Sequence, residues 1–282
     1  MSNSIKRPSP CIFCGDRPGT TKEHFYSKWM SRAGLLNHKR ADKYVEYGFE
    51  RSPAIGKQTR PNISYSGDLS TKKFRVVCYK CNGGWMSKLE ESCRLSLEAL
   101  VTGAPVKLNT LSQYDLAGWI AMKVICLEHN RARRFTVTPS FDRRMLADGK
   151  IPPYFSIYVG NHSMPHNVKI ERDTLTVAVD TETPDPPLAD VTKNVSQVRI
   201  LLGKAFLLVH ICRANGFDME DYMDASLKQH VFDRLRIFPP QQDLVTRPIE
   251  PILDRAGYAA LEGSFAQMME VSVHRWVPDS PV

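Results

Sequence analysis

The first hundred residues alternate between short apolar runs and polar, turn-rich segments, a pattern that predicts several short elements. The apolar run FRVV at 74–77 predicts a strand, and TKEHFYSKWM at 21–30 predicts a strand that leads into a short helix. Over 85–100, apolar residues recur every three or four positions, which predicts an amphipathic helix that stops at Gly103. The polar and basic segment 31–70 lies between the two strands and is interpreted as an insertion.

The rest of the chain has longer apolar stretches and predicts larger elements. A helix at 111–129 has one strongly apolar face. Apolar runs predict strands at 154–159, 167–171, 174–179, 197–202 and 204–212. A last short helix near 257–270 precedes a strand at 271–276. We therefore expect an α+β protein, in which an N-terminal module over 1–104 precedes a C-terminal α+β region over 105–282.

Length and composition favour an ordinary folded protein. The chain has 282 residues, of which 42% are hydrophobic and 24% are charged, so it can bury a normal core. No stretch approaches the ~18 consecutive apolar residues of a membrane helix, and the start MSNSIKRPSP lacks the apolar region of a secretory signal. We therefore expect a cytoplasmic protein.

The net charge of +8 is concentrated in the N-terminal part of the chain. Residues 1–100 contain 18 Lys and Arg side chains against 9 Asp and Glu, whereas the remaining 182 residues contain 20 basic and 21 acidic side chains. Such an excess is expected in a protein that acts on a polyanion, such as a nucleic acid. A solvated basic surface without a partner explains the charge equally well.

Seven cysteines include two Cys-x-x-Cys pairs, which predict a tetrahedral metal site built from Cys11, Cys14, Cys78 and Cys81. Each pair can place its thiolates within about 4 Å of one another, as a zinc ion with ~2.3 Å bonds to sulfur requires. Because 63 residues separate the pairs, the chain between them must loop out and return, as in a treble-clef arrangement. A redox role needs only one pair and leaves the other unexplained. The remaining cysteines are interpreted as buried small hydrophobes: Cys93, Cys126 and Cys212.

Three segments taken together, CIFCGD, TKEHFYSKW and VVCYKCNGGWMSKLE, resemble the HNH endonuclease superfamily in its four-cysteine, ββα-metal form. The resemblance covers about residues 8–100. It is specific because it combines four cysteines, an acid–histidine pair and an asparagine directly after the last cysteine. The pattern is similar to that of the junction-resolving phage endonuclease VII group. It implies a treble-clef ββα-metal module with structural zinc.

The resemblance also implies a role for each residue of a candidate active site. His24 matches the general base that takes a proton from the attacking water. Glu23 matches the acidic metal ligand, and Asn82 matches the residue that gives the catalytic Mg²⁺ or Mn²⁺ an amide oxygen. The products implied by the family are a 5′-phosphate and a 3′-hydroxyl.

The chemistry of phosphodiester cleavage supports these roles independently. The reaction needs a nucleophilic water, stabilisation of the charge added to phosphorus, and help for the departing 3′-oxygen. A neutral histidine can activate the water near pH 7, and a hard cation held by carboxylate and amide oxygens can do the rest. Neighbouring residues of a strand point to opposite sides, so a bulge or the strand end is needed to bring Glu23 and His24 together.

The chain departs from the family pattern at three places. The middle asparagine of the signature, which usually orients the base, is missing from TKKFRVV, and Asn62 in the insertion is the substitute that we consider. The 53 residues between His24 and Cys78 are more than compact members have. No second metal-ligating histidine follows Asn82 one helical turn later, where Met86 stands, so the predicted metal site is lean.

We therefore expect a metal-dependent HNH-type endonuclease that hydrolyses DNA, with a C-terminal region that serves recognition, oligomerisation or regulation. RNA fits the same active-site residues. The alternative is a non-catalytic treble-clef zinc protein that binds nucleic acid or another protein, since it shares the cysteines and the basic charge. That alternative gives no reason for the acid–histidine pair and the asparagine at their family positions. Modules of this type recur in phage, restriction and bacterial defence settings, which is the context that the resemblance implies.

Overall fold

One seven-stranded sheet and three two-stranded sheets organise the part of the chain that the structure describes. The computed structural model describes residues 9–17, 19–35, 43–48, 50–51, 58–59, 62–66, 73–129, 135–164, 168–175, 193–214, 219, 236–240, 243–247 and 253–261. Its strands are, in chain order, β1 (Thr20–His24), β2 (Lys43–Gly48), β3 (Glu50–Arg51), β4 (Gln58–Thr59), β5 (Asn62–Ser66), β6 (Lys73–Cys78), β7 (Val106–Asn109), β8 (Phe155–Asn161), β9 (Val168–Leu175), β10 (Val195–Leu202), β11 (Ala205–Cys212), β12 (Arg236–Phe238) and β13 (Leu244–Arg247). Its helices are α1 (Lys28–Arg32), α2 (Tyr79–Cys81), α3 (Ser87–Ser92), α4 (Arg94–Thr102), α5 (Thr110–Glu128) and α6 (Ser140–Ala147). A π-helical segment (Asn82–Met86) joins α2 to α3, and a further helical segment lies at 255–261.

The seven-stranded sheet has the order β12-β8-β11-β10-β9-β2-β5. Strands β8, β11, β10 and β9 are antiparallel to their neighbours in this set, and β10 and β11 are buried on both faces. The β10–β11 hairpin turns at Gly203 and Lys204, where Gly203 has a φ of 61°. The Lys204 amide donates to the Val101 carbonyl at 2.8 Å, which ties the hairpin to the end of α4. A side chain at Gly203 would collide with the same carbonyl oxygen.

The predicted insertion at 31–70 contributes two strands to this sheet. β2 runs parallel to β9, with Lys43 opposite Lys169, and β5 pairs antiparallel with β2 at the edge of the sheet. β2 (KYVEYG) and β5 (NISYS) carry aromatic and β-branched residues that are typical of strands, a signal that the polar and basic composition of the insertion as a whole obscured. The strands predicted on either side of the insertion are present as β1 and β6, which pair with each other in a separate two-stranded sheet.

The predicted break between strands at 167–171 and 174–179 is wrong, because a single strand, β9, runs without interruption over Val168–Leu175. The charged residues between the two predicted strands do not end the strand. Asp173 is buried and accepts a hydrogen bond from Arg199 of β10 at 2.7 Å. A strand can carry charges through the core where each charge has a partner. Residues 176–179 of the second prediction lie outside the described part of the chain.

The amphipathic helix predicted at 85–100 is present but interrupted. It begins earlier, with α2, and passes through the π-helical segment, where Gly84 has a ψ of −112°. It breaks again at Cys93, between α3 and α4. The predicted end is confirmed: α4 stops at Gly103, whose φ of 78° favours glycine because this conformation crowds a Cβ atom.

The helix predicted at 111–129 is confirmed as α5, within one residue at each end. Asn109 caps its start by accepting a hydrogen bond from a first-turn amide at 2.8 Å. We predicted one apolar face, but residues 116–128 are buried on every side of the helix. These buried residues include the charged Lys123 and Glu128. α5 packs against α3, α4 and α6 and against strands from three of the sheets, which accounts for its burial.

One large hydrophobic cluster connects the N-terminal elements with the seven-stranded sheet. Its members from five different regions include Phe13, Met30, Leu97, Ile120 and Val209. The boundary predicted after residue 104 therefore separates two regions that share packed side chains, and as a division of function it stays a prediction. The helical segment at 255–261 overlaps the helix predicted near 257–270, whose remainder lies outside the described residues together with the predicted strand at 271–276. Among the described helices, none is both long and apolar enough to cross a bilayer.

Candidate metal centre and active-site cleft

The four paired cysteines meet in space. The sulfur atoms of Cys11, Cys14, Cys78 and Cys81 all lie within 4.8 Å of one another, and those of Cys14 and Cys78 are 3.7 Å apart. Three of these side chains are buried, and that of Cys14 is half-buried. Since thiolate sulfurs at such distances can share one cation, the cluster can hold a metal ion.

A tight turn presents the first cysteine pair. The Gly15 amide donates to the Cys11 carbonyl at 2.9 Å, and the Cys11 amide donates to the Asp16 carbonyl at 2.8 Å. Gly15 closes the turn with a φ of 79°. The Ile12 amide donates to the Val76 carbonyl at 3.0 Å, which fastens the turn to β6, where the second pair begins.

The second pair and its surroundings tie the cluster to both halves of the chain. Cys78 ends β6 and caps α2, and its sulfur accepts a hydrogen bond from the Cys81 amide at 3.5 Å. Arg143 of α6 reaches the first pair from the other half of the chain. Its Nε donates to the Ile12 carbonyl at 2.9 Å, and its Nη1 donates to the Thr138 carbonyl at 2.5 Å. The cluster is therefore built into the fold rather than carried on a loose arm.

Burial raises the pKa of Cys14 to about 11 and raises the pKa of Cys81 above its usual value. Burial also acts to raise the pKa of Cys11, but hydrogen bonds from backbone amides outweigh it there and lower the pKa of that thiol. The Trp85 indole N–H beside Cys81 acts in the opposite direction on the pKa of that thiol, because a nearby N–H favours the thiolate. Trp85 Nε1 is buried and has no oxygen or nitrogen acceptor among the described residues. A cation that binds the four sulfurs must displace protons, and it would give this N–H a stronger acceptor.

Asn82, the residue that follows Cys81, lines a cleft of about 360 Å³. It is lined by residues of β1, α1 and the helical segments after the cluster: Lys22, Glu23, His24, Ser27, Lys28, Trp29, Arg32, Asn82, Met86, Ser87, Glu90, Glu91 and Arg94. The structure thus places the three residues of the candidate active site, Glu23, His24 and Asn82, on the walls of the same cleft.

Two neighbouring side chains, those of Glu23 and His24, line the cleft at the end of β1, next to an irregularity in the β1–β6 pair. Thr21 lies opposite Val77 and Glu23 lies opposite Phe74, so β6 contains an extra residue between the two pairs. β1 then ends at His24. The sequence analysis expected a bulge or a strand end where Glu23 and His24 come together. The structure has an extra residue in β6 and the end of β1 at this place, and both side chains line the cleft.

Asn82 is held in place by β1. Its Nδ2 donates to the Thr21 hydroxyl at 3.0 Å, and that hydroxyl donates to the Val77 carbonyl at 3.2 Å. Because the carboxamide nitrogen is engaged with Thr21, the carboxamide oxygen points away from it, and within the described residues this oxygen accepts no hydrogen bond. An oxygen in this position suits a hard cation.

A lysine of the core helix contacts three residues that line the cleft. Lys123 Nζ lies 2.5 Å from Glu23 Oε1, 2.9 Å from the His24 carbonyl oxygen and 3.6 Å from Glu90 Oε2. Lys123 is 1% exposed and Glu23 is 7% exposed. Burial lowers the pKa of Lys123, but the carboxylates of Glu23 and Glu90 outweigh this effect and raise the pKa above its usual value. The ammonium group therefore stays charged.

Lys123 and Glu90 were not predicted from the sequence. Lys123 is the one charge in the apolar run LAGWIAMKVICL, and a charge in a helix buried all round needs a buried partner. This is the signal that could have found it. Glu90 follows Asn82 on the same helical stretch, but acidic residues there also fit a solvent-facing surface, so the signal is weak.

His24 has a pKa below its usual value. Burial is the largest cause, and the positive charges of Lys28, Lys73 and Lys123 lower the pKa further, against the opposing charge of Glu90. The imidazole is therefore neutral near pH 7, which is the form that accepts a proton.

Basic side chains from two helices frame the opening of the cleft. Lys28 and Arg32 are one turn apart on α1, Arg94 begins α4, and all three are exposed. The Arg94 guanidinium lies 5.3 Å from the centre of the Trp29 ring. Trp29 also packs against the core. These three basic side chains can bind the phosphate groups of a polyanion next to the candidate active-site residues.

Two other positions come from the sequence analysis. Met86, which stands where a second histidine ligand was sought, borders the cleft but is buried and packs in the core. Asn62, considered as the base-orienting residue, is the first residue of β5 and pairs with Tyr47 in the seven-stranded sheet. The described lining of the cleft comes from other elements. The role of Asn62 stays a prediction.

Comparisons of this chain with protein-family models, curated proteins and solved structures find no match. A proposal of function for this chain therefore rests on the geometry of the cluster and the cleft together with the motif resemblance.

Proposed function

We propose that this protein is a metal-dependent HNH-type endonuclease that hydrolyses phosphodiester bonds of DNA. The observation that carries the proposal is the convergence of Glu23, His24 and Asn82 on one cleft, next to the four-cysteine cluster. Asn82 is distant from the other two residues in the chain, and a cluster of cysteines alone gives no reason for them to meet.

The four-cysteine cluster is proposed to bind a structural zinc ion in a treble-clef arrangement. A tetrahedral zinc site with ~2.3 Å bonds has its sulfurs about 3.8 Å apart. The sulfurs of Cys14 and Cys78 are 3.7 Å apart. The buried Trp85 N–H beside Cys81 fits a thiolate acceptor better than a thiol. A ligand set supplied entirely by the protein suits a structural ion.

The cleft is proposed to bind one divalent cation, Mg²⁺ or Mn²⁺. Glu23 and Asn82 present carboxylate and amide oxygens, which are the ligands that hard cations prefer. Two protein ligands suffice, because Mg²⁺ keeps several of its waters and leaves room for a phosphate oxygen. When bound, the cation stabilises the charge added to the phosphate and the departing 3′-oxygen.

His24 is proposed as the general base. Its imidazole is neutral near pH 7 and half-buried in the wall of the cleft, so it can take a proton from a water molecule there. The oxygen of that water attacks phosphorus as the bond to the 3′-oxygen breaks. The products are a 5′-phosphate and, once the departing oxygen gains a proton from solvent, a 3′-hydroxyl. Lys28 and Arg32 hold neighbouring phosphates.

One observation favours a non-catalytic alternative, in which the zinc module binds nucleic acid or protein through its basic surface. Oε1 of Glu23 is already paired with Lys123 at 2.5 Å, as in an ion pair that only stabilises the fold. The second oxygen of Glu23 and the carboxamide oxygen of Asn82 favour the enzyme, since a binding protein needs neither of them at the cleft.

Cleavage of supercoiled plasmid DNA tests the proposal. Wild-type protein and His24→Ala are compared in Mg²⁺, Mn²⁺ or EDTA, with RNA as a second substrate. We expect metal-dependent nicking or linearisation by the wild type and a loss of about 10³-fold in His24→Ala. His129→Ala, at the end of α5 and outside the cleft lining, is the matched control and should cleave at the wild-type rate.

Two outcomes would contradict the proposal. Zinc-loaded wild-type protein that retains DNA but cleaves neither substrate would support the binding protein. Equal cleavage by the wild type and His24→Ala would remove His24 as the base.

A further inference from the structure

The ammonium group of Lys123 lies where three oxygens of the proposed active site meet. It is 2.5 Å from Glu23 Oε1, 2.9 Å from the His24 carbonyl oxygen and 3.6 Å from Glu90 Oε2. Two of these oxygens, those of Glu23 and His24, accept hydrogen bonds from the ammonium group, and the carboxylate of Glu90 adds an ion-pair contact. The contacts therefore include the side chain of one candidate active-site residue and the main chain of the next.

The packing of α5 alone does not account for a lysine at this position. Burial of an ammonium ion is costly, and apolar residues often replace buried ion pairs without loss of stability. The neighbouring residues of the helix, Met122 and Val124, are apolar and buried. The charge of Lys123 is explained by the groups that it holds, which line the cleft.

We propose that Lys123 is a positioning residue of the endonuclease site, an inference that rests on the proposed function. Its ammonium group holds Oε1 of Glu23, so that Oε2 is left for the divalent cation. It also binds the carbonyl oxygen of His24 and thereby fixes the end of β1 that carries the imidazole. Lys123 acts through these two residues.

The position of the ammonium group between two carboxylates has a further consequence for cation binding. One positive charge already lies between Glu23 and Glu90, at the place that a second divalent cation would occupy. This charge repels an additional cation and offsets part of the negative charge of the pair. The wild-type cleft should therefore bind one divalent cation.

Manganese binding and plasmid cleavage by Lys123 variants test the inference in full-length, zinc-loaded protein. The number and affinity of bound Mn²⁺ ions are measured by EPR without DNA, so that one readout is independent of activity. Lys123→Met removes the charge at similar length, and Lys123→Arg keeps the charge but changes the shape of the donor. Glu128→Gln is the matched control, because Glu128 is buried on the same helix and bonded to the Thr138 amide at 3.0 Å, outside the cleft lining.

We expect Lys123→Met to bind Mn²⁺ about tenfold more tightly, because the repelling charge is gone and the carboxylates lack a counter-ion. The same variant should cleave about 100-fold more slowly, since Glu23 and the end of β1 are no longer held. Lys123→Arg should keep Mn²⁺ affinity within about twofold of the wild type and cleave about tenfold more slowly. Glu128→Gln should change neither quantity, whatever its Tm. A higher Mn²⁺ affinity together with a lower cleavage rate indicates a positioning role. A loss of stability would not raise the affinity while it lowers the rate.

The inference is overturned if Mn²⁺ affinity and cleavage rate in Lys123→Met both stay at wild-type values, or if both fall together. If zinc content and Tm show that Lys123→Met does not fold, Lys123→Arg decides, and a folded Lys123→Arg with wild-type cleavage overturns the inference. A failure of the proposed function is distinguishable, because wild-type protein then shows no metal-dependent cleavage, and the inference fails with it.

Discussion

Cys81 and Asn82 are consecutive residues, yet they belong to two sites of opposite construction. The cluster around Cys81 is closed, with four sulfurs that face one another within 4.8 Å. The cleft around Asn82 is open, and its acidic and basic side chains face a space of about 360 Å³. A closed ligand set suits an ion that holds the fold together, and an open one suits an ion that must also accept a substrate.

The difference shows how one short segment, Cys81–Asn82, can contribute both to the stability of the fold and to the proposed catalysis. In the proposed function, the sulfur ligands saturate their ion, so the loss of one ligand should weaken the fold. The oxygen ligands leave room at their ion, so their loss should weaken binding and rate while the fold stays intact. The two sites should therefore respond differently to substitution.

Cys78→Ser should have the largest effect, because structural metal sites contribute directly to folding energy. We expect less than one zinc ion per chain by atomic absorption, and a fall in Tm of roughly 10 °C or more by circular dichroism. Cys212→Ser is the control, since Cys212 is a half-exposed thiol outside the cluster, and it should keep zinc and Tm. Equal losses in the two variants would remove the special role of the cluster.

Asn82→Ala should leave the zinc in place and act on the open site alone. We expect Mn²⁺ affinity to fall about tenfold by titration calorimetry, because the amide oxygen is lost. Thr21→Val removes the hydroxyl that orients Asn82 but keeps the amide oxygen, so its effect should be about threefold. Loss of zinc from Asn82→Ala would show that the two sites are not separable.

Arg32→Gln should have the smallest effect, limited to the contact with the substrate. We expect DNA affinity to fall by about threefold in moderate salt, and the slope of log affinity against log salt to decrease by about one. Lys150→Gln removes the same charge from an exposed residue outside the cleft lining and should change neither quantity. The measurement is fluorescence anisotropy at several salt concentrations. An unchanged slope in Arg32→Gln would mean that this wall of the cleft does not face the phosphate chain.

Features set by neighbouring residues could be predicted from the sequence. The apolar run of β6, the glycine stop at Gly103 and the length of α5 follow from local period and backbone preference. The meeting of Glu23 with Lys123 could not, because the two residues are 100 positions apart and neither periodicity nor motif records such a contact. The same holds for the pairing of β2 with β9, which depends on backbone partners rather than on side-chain pattern.

The parallel pairing of β2 with β9 also sets an order of events during synthesis. Val45 of β2 lies opposite Glu171 of β9, so β2 leaves the ribosome long before its partner is made. Its antiparallel partner β5 is made soon after it, but the pair joins the seven-stranded sheet only once the chain has been extended through residue 175. Proteins usually fold from the N-terminus as they emerge, and pairings between distant segments are slow. In this chain the edge of the large sheet therefore cannot be completed in the order in which its strands are made.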